Sequence, residues 1–320
     1  MGDVVLSVRD LRTRFPTTRG LVKAVDGVNF ELRRGQTLGI VGESGSGKSV
    51  TALSLIRLVP APGESQGEVV LEGVDLMKLS ERAMEKVRGK RLAMILQDPM
   101  TSLNPVLTIG DQIMETLRAH DEVPRSELRA RAIELLQRVR IPAPESRLKA
   151  YPHQLSGGMR QRVSGAIAIA CNPTVLIADE PTTALDATTQ LQYLSMLRDL
   201  QQQSALAVVF ITHDFGIVAN LCDTVAVMYA GHVVEFGDVR AIFERPGHPY
   251  TRALLNAVPT LEAETDRLET VPGQPPALDA LPPGCPFAPR CPLVRAVCRE
   301  TYPPVVTLED GHTADCWALT

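Results

Sequence analysis

Along residues 3–40 apolar positions alternate with polar ones, first at Val5, Leu6 and Val8 and then at Val25, Val28, Phe30 and Leu32. A period of two belongs to strands with one covered face, so this stretch predicts antiparallel strands. At Thr37-Leu38-Gly39-Ile40-Val41 the alternation gives way to a short apolar run, which predicts a buried strand. Lys48 to Leu58 then changes period and predicts a helix, with Ala52, Leu55, Ile56 and the following Val59 on its inner face. Further strands are expected at Gly67 to Leu71, Leu92 to Leu96, Thr174 to Asp179 and Ala207 to Thr212. Between them, Asp111 to His120 and Arg125 to Arg140 carry apolar residues at helical spacing, such as Leu128, Ile133, Leu136 and Val139. Pro124 suits the start of the second helix, and Pro142 and Pro144 its end. Roughly 101–160 therefore reads as a helical insertion into a sheet. After about residue 245 the pattern fades, because ten of the 24 prolines fall between Pro272 and Pro304 and disfavour both helix and sheet. No internal repeat is visible.

Composition narrows this picture only a little. A chain of 320 residues suits one large domain with appendages, or two domains. Its 44% hydrophobic and 22% charged residues are ordinary for a soluble globular protein. Net charge is −4 with basic residues spread along the chain, which argues against nucleic acid as a partner. No apolar run approaches a membrane span; Ala205 to Ile211 is among the longest and covers seven residues. Met1-Gly2-Asp3-Val4 does not read as a signal peptide. The expectation is a cytosolic protein, with docking on a membrane partner left open.

The chemistry sits at the element ends. Gly42-Glu43-Ser44-Gly45-Ser46-Gly47-Lys48-Ser49 fits G-x-x-x-x-G-K-[ST] between a predicted strand and a predicted helix, the context a phosphate-binding loop needs. Glycines let successive N–H groups point at phosphate oxygens, and the helix N-terminus adds partial positive charge. Lys48 would neutralise the β- and γ-phosphates, and the Ser49 hydroxyl would ligate Mg²⁺. Asp179 and Glu180 end an apolar strand; Asp179 would hold Mg²⁺ through water, and Glu180 would orient and polarise the attacking water. Other positions carry two readings each. Gln97 at a strand end is a solvated polar residue, or it sets its amide oxygen near a metal or the attacking water. His213 is structural, or it reaches a γ-phosphate. Ser156-Gly157-Gly158 is a simple helix cap, or a second anion site. Phe15, read as lying in the loop between the first strands, packs locally or stacks on adenine.

Together these motifs resemble the ATP-binding subunit of an ABC transporter. The phosphate loop, Gln97, Leu155-Ser156-Gly157-Gly158, the carboxylate strand, Ala184-Leu185-Asp186 and His213 stand in that family's order over about residues 4–240. The resemblance implies an α/β fold. It would be a P-loop ABC ATPase with a RecA-like core, an antiparallel β subdomain and a helical subdomain, followed by a small Cys/Pro-rich extension. Boundaries are expected at 1–245 for the ATPase domain, with the helical part at about 101–160, and at 246–320 for the extension. It implies ATP and Mg²⁺ as cofactors, the nucleotide held by Phe15, Gly42, Ser44, Gly45, Ser46, Gly47, Lys48 and Ser49. It implies Mg²⁺ at Ser49, Gln97 and Asp179, and catalysis by Glu180 with Gln97 and His213. Ser156, Gly157 and Gly158 would bind the γ-phosphate held by the partner subunit, and Asp186 would communicate between the two sites.

A narrower resemblance is to the oligopeptide/dipeptide permease branch. It rests on Gln97-Asp98-Pro99-Met100-Thr101-Ser102-Leu103-Asn104-Pro105, Tyr151-Pro152-His153-Gln154, Gly158-Met159-Arg160-Gln161-Arg162, Glu180-Pro181-Thr182-Thr183-Ala184-Leu185-Asp186 and Gly247-His248-Pro249-Tyr250-Thr251. The branch implies an importer powering peptide uptake at the cytoplasmic face of the membrane. Its partners would be a second, related ATPase, two membrane-spanning permease subunits and an extracytoplasmic binding protein. The helical insertion and the segment Met100 to Pro105 would receive the membrane subunits. Uptake of nickel or an oligosaccharide, and a soluble ABC ATPase outside transport, are the competing functions. Val163-Ser164-Gly165-Ala166-Ile167 is smaller than the branch implies but carries no chemistry.

Cys285, Cys291, Cys298 and Cys316 occupy the last 36 residues at C-x₅-C-x₆-C-x₁₇-C. Free thiols, a disulfide pair, structural Zn²⁺ and an iron–sulfur cluster are all open readings. The branch resemblance implies a 4Fe-4S cluster, with Zn²⁺ as the alternative. Cys171 and Cys222 lie in apolar runs and read as small buried hydrophobes.

Overall fold

Two sets of parallel strands, one in each of two compact units, carry the fold. The computed structural model describes residues 2–98, 102–120, 123–258, 271–309 and 311–320. The elements run β1 (Val4–Thr17), β2 (Gly20–Arg33), β3 (Thr37–Val41), α1 (Lys48–Leu55), β4 (Glu64–Leu71), β5 (Val74–Asp75), α2 (Glu81–Glu85) and β6 (Leu92–Ile95). Helices follow: α3 (Ile109–Ala119), α4 (Leu128–Arg138), α5 (Pro144–Arg147) and α6 (Gly157–Ala168). Then come β7 (Val175–Asp179), α7 (Ala187–Ser204), β8 (Ala207–Thr212), α8 (Phe215–Leu221), β9 (Thr224–Tyr229) and β10 (His232–Asp238). The C-terminal region adds α9 (Val239–Glu244), α10 (Pro249–Asn256), α11 (Val297–Glu300), β11 (Val305–Thr307) and β12 (Thr313–Asp315).

The chain divides into two compact units, and each is taken by itself. The first holds Met1–Leu6, Leu32–Gln36 and Leu71–Ile211. Here β6, β7 and β8 are parallel neighbours, in register at Ile95, Ala178 and Phe210. Val175 to Ala178 are at most 0% exposed, which is why this strand reads as a continuous apolar run with no alternation. The helices α3, α4 and α6 pack on one another; Ile109, Ile113 and Leu117 of α3 and Leu128, Ala132, Leu135 and Leu136 of α4 are buried at helical spacing. Thr108 caps α3, its hydroxyl accepting from the Asp111 amide at 3.1 Å.

The second unit holds Ser7–Glu31, Thr37–Val70 and Thr212–Thr320. The parts of β2, β1 and β4 inside it are sheet neighbours in that order. Thr13 Oγ1 of β1 lies 2.6 Å from Ser54 Oγ of α1 and 2.9 Å from Ser65 Oγ of β4, tying ribbon to helix. A second sheet in this unit runs β11-β12-β10-β9-β3. In it β3 and β9 are parallel, and β9–β10, β10–β12 and β12–β11 are antiparallel.

Several expectations change. Phe15 lies within β1, not in a loop, because the alternation of Leu11 and Thr13 continues through it. Helix α1 ends at Leu55, short of Leu58: Arg57 takes a left-handed φ of 54° and the chain turns toward Pro60 and Pro62. Pro124 begins a turn closed by the Glu127 amide, and α4 starts only at Leu128, where its buried face begins. That helix stops at Arg138, before either proline, and Pro144 opens a one-turn helix of its own. The tail is not bare loop. Its strand β12 pairs with β10, at Glu235–Ala314 and Phe236–Thr313, and so lengthens the second unit's sheet. Of the helical insertion and the segment Met100 to Pro105 expected to receive membrane subunits, Met100, Thr101, Asp121 and Glu122 lie outside the described residues.

His248 caps α10 through Nδ1, which accepts from the Tyr250 amide at 3.0 Å, and burial lowers its pKa to about 3. Below about pH 6.5 the unfolded chain takes up a proton that this folded site refuses, so His248 withdraws stability as pH falls from there toward about 3. The limiting slope is about 1.4 kcal/mol per pH unit. Asp315 acts oppositely, since burial raises its pKa to about 6. The test is therefore a difference. His248→Asn keeps an acceptor for the Tyr250 amide, and its melting temperature should gain on the parent's as pH is lowered from 7 to 5. A constant difference across that range would show that His248 does not titrate in this way.

Candidate functional site

In the second unit β3 feeds the loop Gly42 to Ser49 into α1. Gly42 has φ 153° and Gly47 has φ 105°; a Cβ would stand 2.2 Å from Met228 O at the first and 2.3 Å from Ala24 O at the second. Only glycine lets the loop lie that close to β9 and β2. Gly47 is the N-cap of α1 and offers no side-chain acceptor, and the first turn carries no acid. The helix thus presents amides and partial positive charge at this end. Lys48 is buried, and its Nζ donates to the carbonyls of Gly42 at 2.8 Å and Glu43 at 3.0 Å. Ser46 Oγ is buried without a hydrogen-bond partner among the described residues, the kind of donor an anion would satisfy. Ser44 and Gly45 form the exposed tip, and Ser49 sits in the first turn of α1. Phe15 is half-buried, its ring against Gly63, where a Cβ would come within 2.4 Å of it. His213 is exposed at the end of β8, just before Asp214, which caps α8.

In the first unit β7 delivers Asp179 and Glu180. Asp179 is 4% exposed. Glu180 follows at a left-handed φ of 44°, a strained conformation for a non-glycine residue that turns its side chain out of the strand direction. Its Oε2 accepts from Gln97 Nε2 at 3.1 Å and from Thr183 Oγ1 at 3.1 Å. Gln97, two residues past the neighbouring strand β6, is thus brought to Glu180, with its amide nitrogen on the carboxylate, whereas the sequence reading sets its amide oxygen near a metal or the attacking water. Thr183 was missed; only its place three residues after Glu180 could have marked it.

The Ser-Gly-Gly helix lies in the same unit. Ser156 caps α6, its hydroxyl accepting from the Met159 amide at 3.3 Å. Asp186 caps α7, accepting from the Thr189 amide at 3.0 Å and the Thr189 hydroxyl at 2.7 Å. These bonds hold the Asp186 carboxyl below its usual pKa. Both helix ends open on one cavity of about 340 Å³, lined by Ser156, Gly157, Gly158, Asp186, Thr189 and Arg162 among others.

The cysteines divide as the sequence suggested, but not into a ready ligand set. Cys171 and Cys222 are buried and unbridged, and Cys222 Sγ would meet a Cβ on Gly39 at 2.9 Å. In the tail the Cys285 amide donates to Cys298 O at 2.8 Å. The thiols of Cys285, Cys291, Cys298 and Cys316 feel one another electrostatically. Burial, however, pushes Cys285 up to about 11 and raises Cys291 and Cys316 as well. Among the described residues no group of three or more His, Cys, Asp or Glu could hold a metal ion. The expected metal site is corrected to that extent: as placed, the four cysteines do not form a ligand set. A single Zn²⁺, which needs four sulfurs at about 2.3 Å, does not fit them.

Comparison with known proteins now bears on these sites. The family profile described as ABC transporter matches residues 25–183, and that described as the oligopeptide/dipeptide transporter C-terminal region matches residues 234–298. A "Probable peptide ABC transporter ATP-binding protein" of Sinorhizobium fredii is 52% identical, over 98% of this chain and 95% of that protein. The oligopeptide transport ATP-binding protein of Escherichia coli is 47% identical, over 98% of this chain and 93% of its own length. Among solved structures, a dimeric ATP-binding cassette in a post-hydrolysis state with ADP and phosphate superposes with a TM-score of 0.66. It is 27% identical, over 73% of this chain and 99% of that one.

One feature of the cap region is directly testable. A Cβ on Gly158 would stand 2.4 Å from Thr189 Cγ2. Gly158→Ala should cost about 1–3 kcal/mol by overpacking. Thr189→Ser removes that methyl and keeps the hydroxyl, so in its background the same alanine should cost less than about 1 kcal/mol. Equal costs in both backgrounds, read from urea unfolding, would contradict the close packing of α6 on α7.

Proposed function

Because this chain belongs to the ABC transporter family of ATP-binding proteins, we propose that it is the ATP-hydrolysing subunit of an importer that drives peptides across the membrane. The observation that carries the reading is the loop Gly42 to Ser49, with two glycines wedged against backbone and Lys48 turned onto the loop's own carbonyls. Binding a nucleotide exchanges those carbonyls for phosphate oxygens at the same ammonium, so the lysine remains paired throughout. ATP and Mg²⁺ are the cofactors of such a cassette.

The roles follow from residue chemistry. Gly42, Ser44, Gly45, Ser46 and Gly47 line the phosphates and Lys48 neutralises them. Ser49 and Asp179 hold Mg²⁺, with Gln97 beside the metal. Glu180 polarises the attacking water; its hydrogen bonds from Gln97 and Thr183 fix the carboxylate's direction. His213 contacts the γ-phosphate and Phe15 packs on the base. Ser156, Gly157 and Gly158 serve the nucleotide of a partner ATPase, and Asp186 links the two sites. That arrangement supports a pair of related ATPases carrying two membrane-spanning permeases and fed by an extracytoplasmic binding protein. Among the described residues no helix is long and apolar enough to cross a membrane, so the membrane path belongs to partners. We place the ATPase part at 1–245 and the C-terminal extension at 246–320, the extension sharing a compact unit with the phosphate loop.

The proposal extends to the tail. Cys285, Cys291, Cys298 and Cys316 would hold a 4Fe-4S cluster in the loaded protein, because a four-iron cluster spaces its thiolates wider than one ion does and takes four cysteines. Their mutual electrostatic influence supports this. Loading would have to displace the protons that burial now favours, so it should release acid.

Glu180→Gln should leave ATP binding intact and lower steady-state hydrolysis by the assembled transporter on the order of 10²-fold or more. Lys48→Ala should instead weaken nucleotide binding itself. Hydrolysis near the parental rate in Glu180→Gln would remove that residue from the mechanism. For the tail, iron and sulfide are measured on protein purified without oxygen. About four irons per chain and broad absorbance near roughly 400 nm are expected. Stoichiometric zinc without iron would exclude the cluster, and neither metal would remove the site.

A further inference from the structure

Glu43, the second residue of the phosphate loop, is fixed at its amide, its carbonyl and its carboxylate. The amide donates to Tyr250 Oη at 2.9 Å. The carbonyl accepts from Lys48 at 3.0 Å. The carboxylate receives a two-pronged grip from Arg290, Nη1 to Oε2 at 2.7 Å and Nη2 to Oε1 at 2.9 Å. Two of these partners come from the C-terminal region, 207 and 247 positions downstream.

Arg290 is itself fully engaged. Its Nε donates to Pro272 O at 2.8 Å, Nη1 also to Tyr229 Oη at 3.2 Å, and Nη2 also to Val271 O at 3.4 Å. With the two bonds to Glu43, all five guanidinium N–H groups are used. Its side chain is 4% exposed, and its plane lies over the rings of Tyr229 and Phe287 at 5.8 and 5.9 Å. Tyr229, Tyr250 and Phe287 form one ring cluster, with centroids 4.6 to 5.4 Å apart. The guanidinium's charge is matched by Glu43 and its donors are spoken for, so it is not built to bind phosphate. It is built to hold one loop residue still.

We propose that Arg290 and Tyr250 are positioning residues of the phosphate loop, so that the folded C-terminal tail sets the affinity of this chain for nucleotide. The inference rests on the ATPase reading above and deepens it. Loop amides bind phosphate only in one backbone arrangement, and Glu43 is the hinge point between β3 and the exposed tip at Ser44 and Gly45. With the grip in place the loop meets ATP already arranged. Without it, ordering the loop is charged against binding. Coupling of this kind is reciprocal, so nucleotide should in turn steady the tail. Cys291, the residue after Arg290, is one of the four tail thiols, which places the chemistry of that site one peptide bond from the grip.

The test uses the full chain and its assembled transporter. ATP affinity is read by equilibrium titration with a fluorescent ATP analogue, and KM and kcat by steady-state hydrolysis. Arg290→Gln should weaken binding and raise KM about tenfold, the scale of losing one charge-assisted contact, with kcat changed less than about threefold. Arg290→Lys should recover part of the loss. Glu43→Gln should weaken binding similarly, and the double variant should lose no more than the worse single one, because the two residues act as a pair. A purely structural arginine would lower the melting temperature and leave KM alone. Binding within about twofold of the parent in Glu43→Gln and Arg290→Gln, or losses that multiply in the double variant, would overturn the proposal. Should Arg290→Gln fail to fold, Glu43→Gln decides, since its side chain is partly exposed on the loop. A parent chain that binds no ATP would overturn the ATPase reading instead.

Discussion

A loop that offers backbone amides to an anion cannot satisfy them within itself, so it has to be held in shape from outside. That constraint organises the second unit. Gly42 is pressed against Met228 O and Gly47 against Ala24 O, at separations a Cβ would close to 2.2 and 2.3 Å. The strands that supply those oxygens must therefore be immobile. Thr13, Ser54 and Ser65 lock ribbon to helix on one side. The β3–β9 pairing, in register at Ile40–Ala226 and Val41–Val227, does so on the other. A flexible glycine-rich loop becomes a shaped one because its neighbours are rigid, not because its own sequence is.

The same logic explains why the tail is wound into the sheet. Glu235 of β10 has a carboxylate with no exposed surface, and groups from later in the chain satisfy it. It accepts from the Gly247 amide at 2.6 Å and the His248 amide at 2.9 Å, and its Oε1 stands 2.7 Å from His312 Nε2. His312 belongs to the turn before β12, and His248 caps the helix that carries Tyr250. Taking one partner from such a buried group costs about 3–5 kcal/mol. One carboxylate thus joins β10, the start of α10 and the turn before β12, and places Tyr250 where its hydroxyl reaches Glu43.

What the sequence revealed was whatever is written in a short period or a local motif. The strands at 37–41 and 175–179 were legible because full burial makes them uninterrupted apolar runs, and the Ser156 cap because its acceptor is three residues from its donor. Phe15 was misplaced although the alternation through Leu11 and Thr13 reaches it, since Pro16 and the following Thr-Thr-Arg-Gly signalled a turn too early. The tail strands were invisible for a different reason. Val305–Thr307 is three residues long and follows Pro303 and Pro304, so only its pairing with β12, which in turn pairs with β10, makes it a strand. Nor could any local pattern show that Arg290 meets Glu43. The motif Gly247-His248-Pro249-Tyr250-Thr251 and the four tail cysteines signalled that this region matters, and neither gave a partner in the phosphate loop.

Burial sorts the polar groups of the tail into two kinds. Arg290 and Glu43 satisfy each other in the fork geometry that suits guanidinium and carboxylate, so their burial costs little. The thiols have no such counter-charge. Arg295 and Arg252 ease Cys316 only slightly against burial, and Cys285 is raised by burial first and then by its fellow cysteines. Four thiolates cannot stand together in that setting without a cation among them. Burial therefore favours the proton on Cys285, Cys291 and Cys316. Because Arg290 is anchored in the same short segment as Cys285 and Cys291, a rearrangement of that segment has to be accommodated without moving Glu43, or it displaces the phosphate loop.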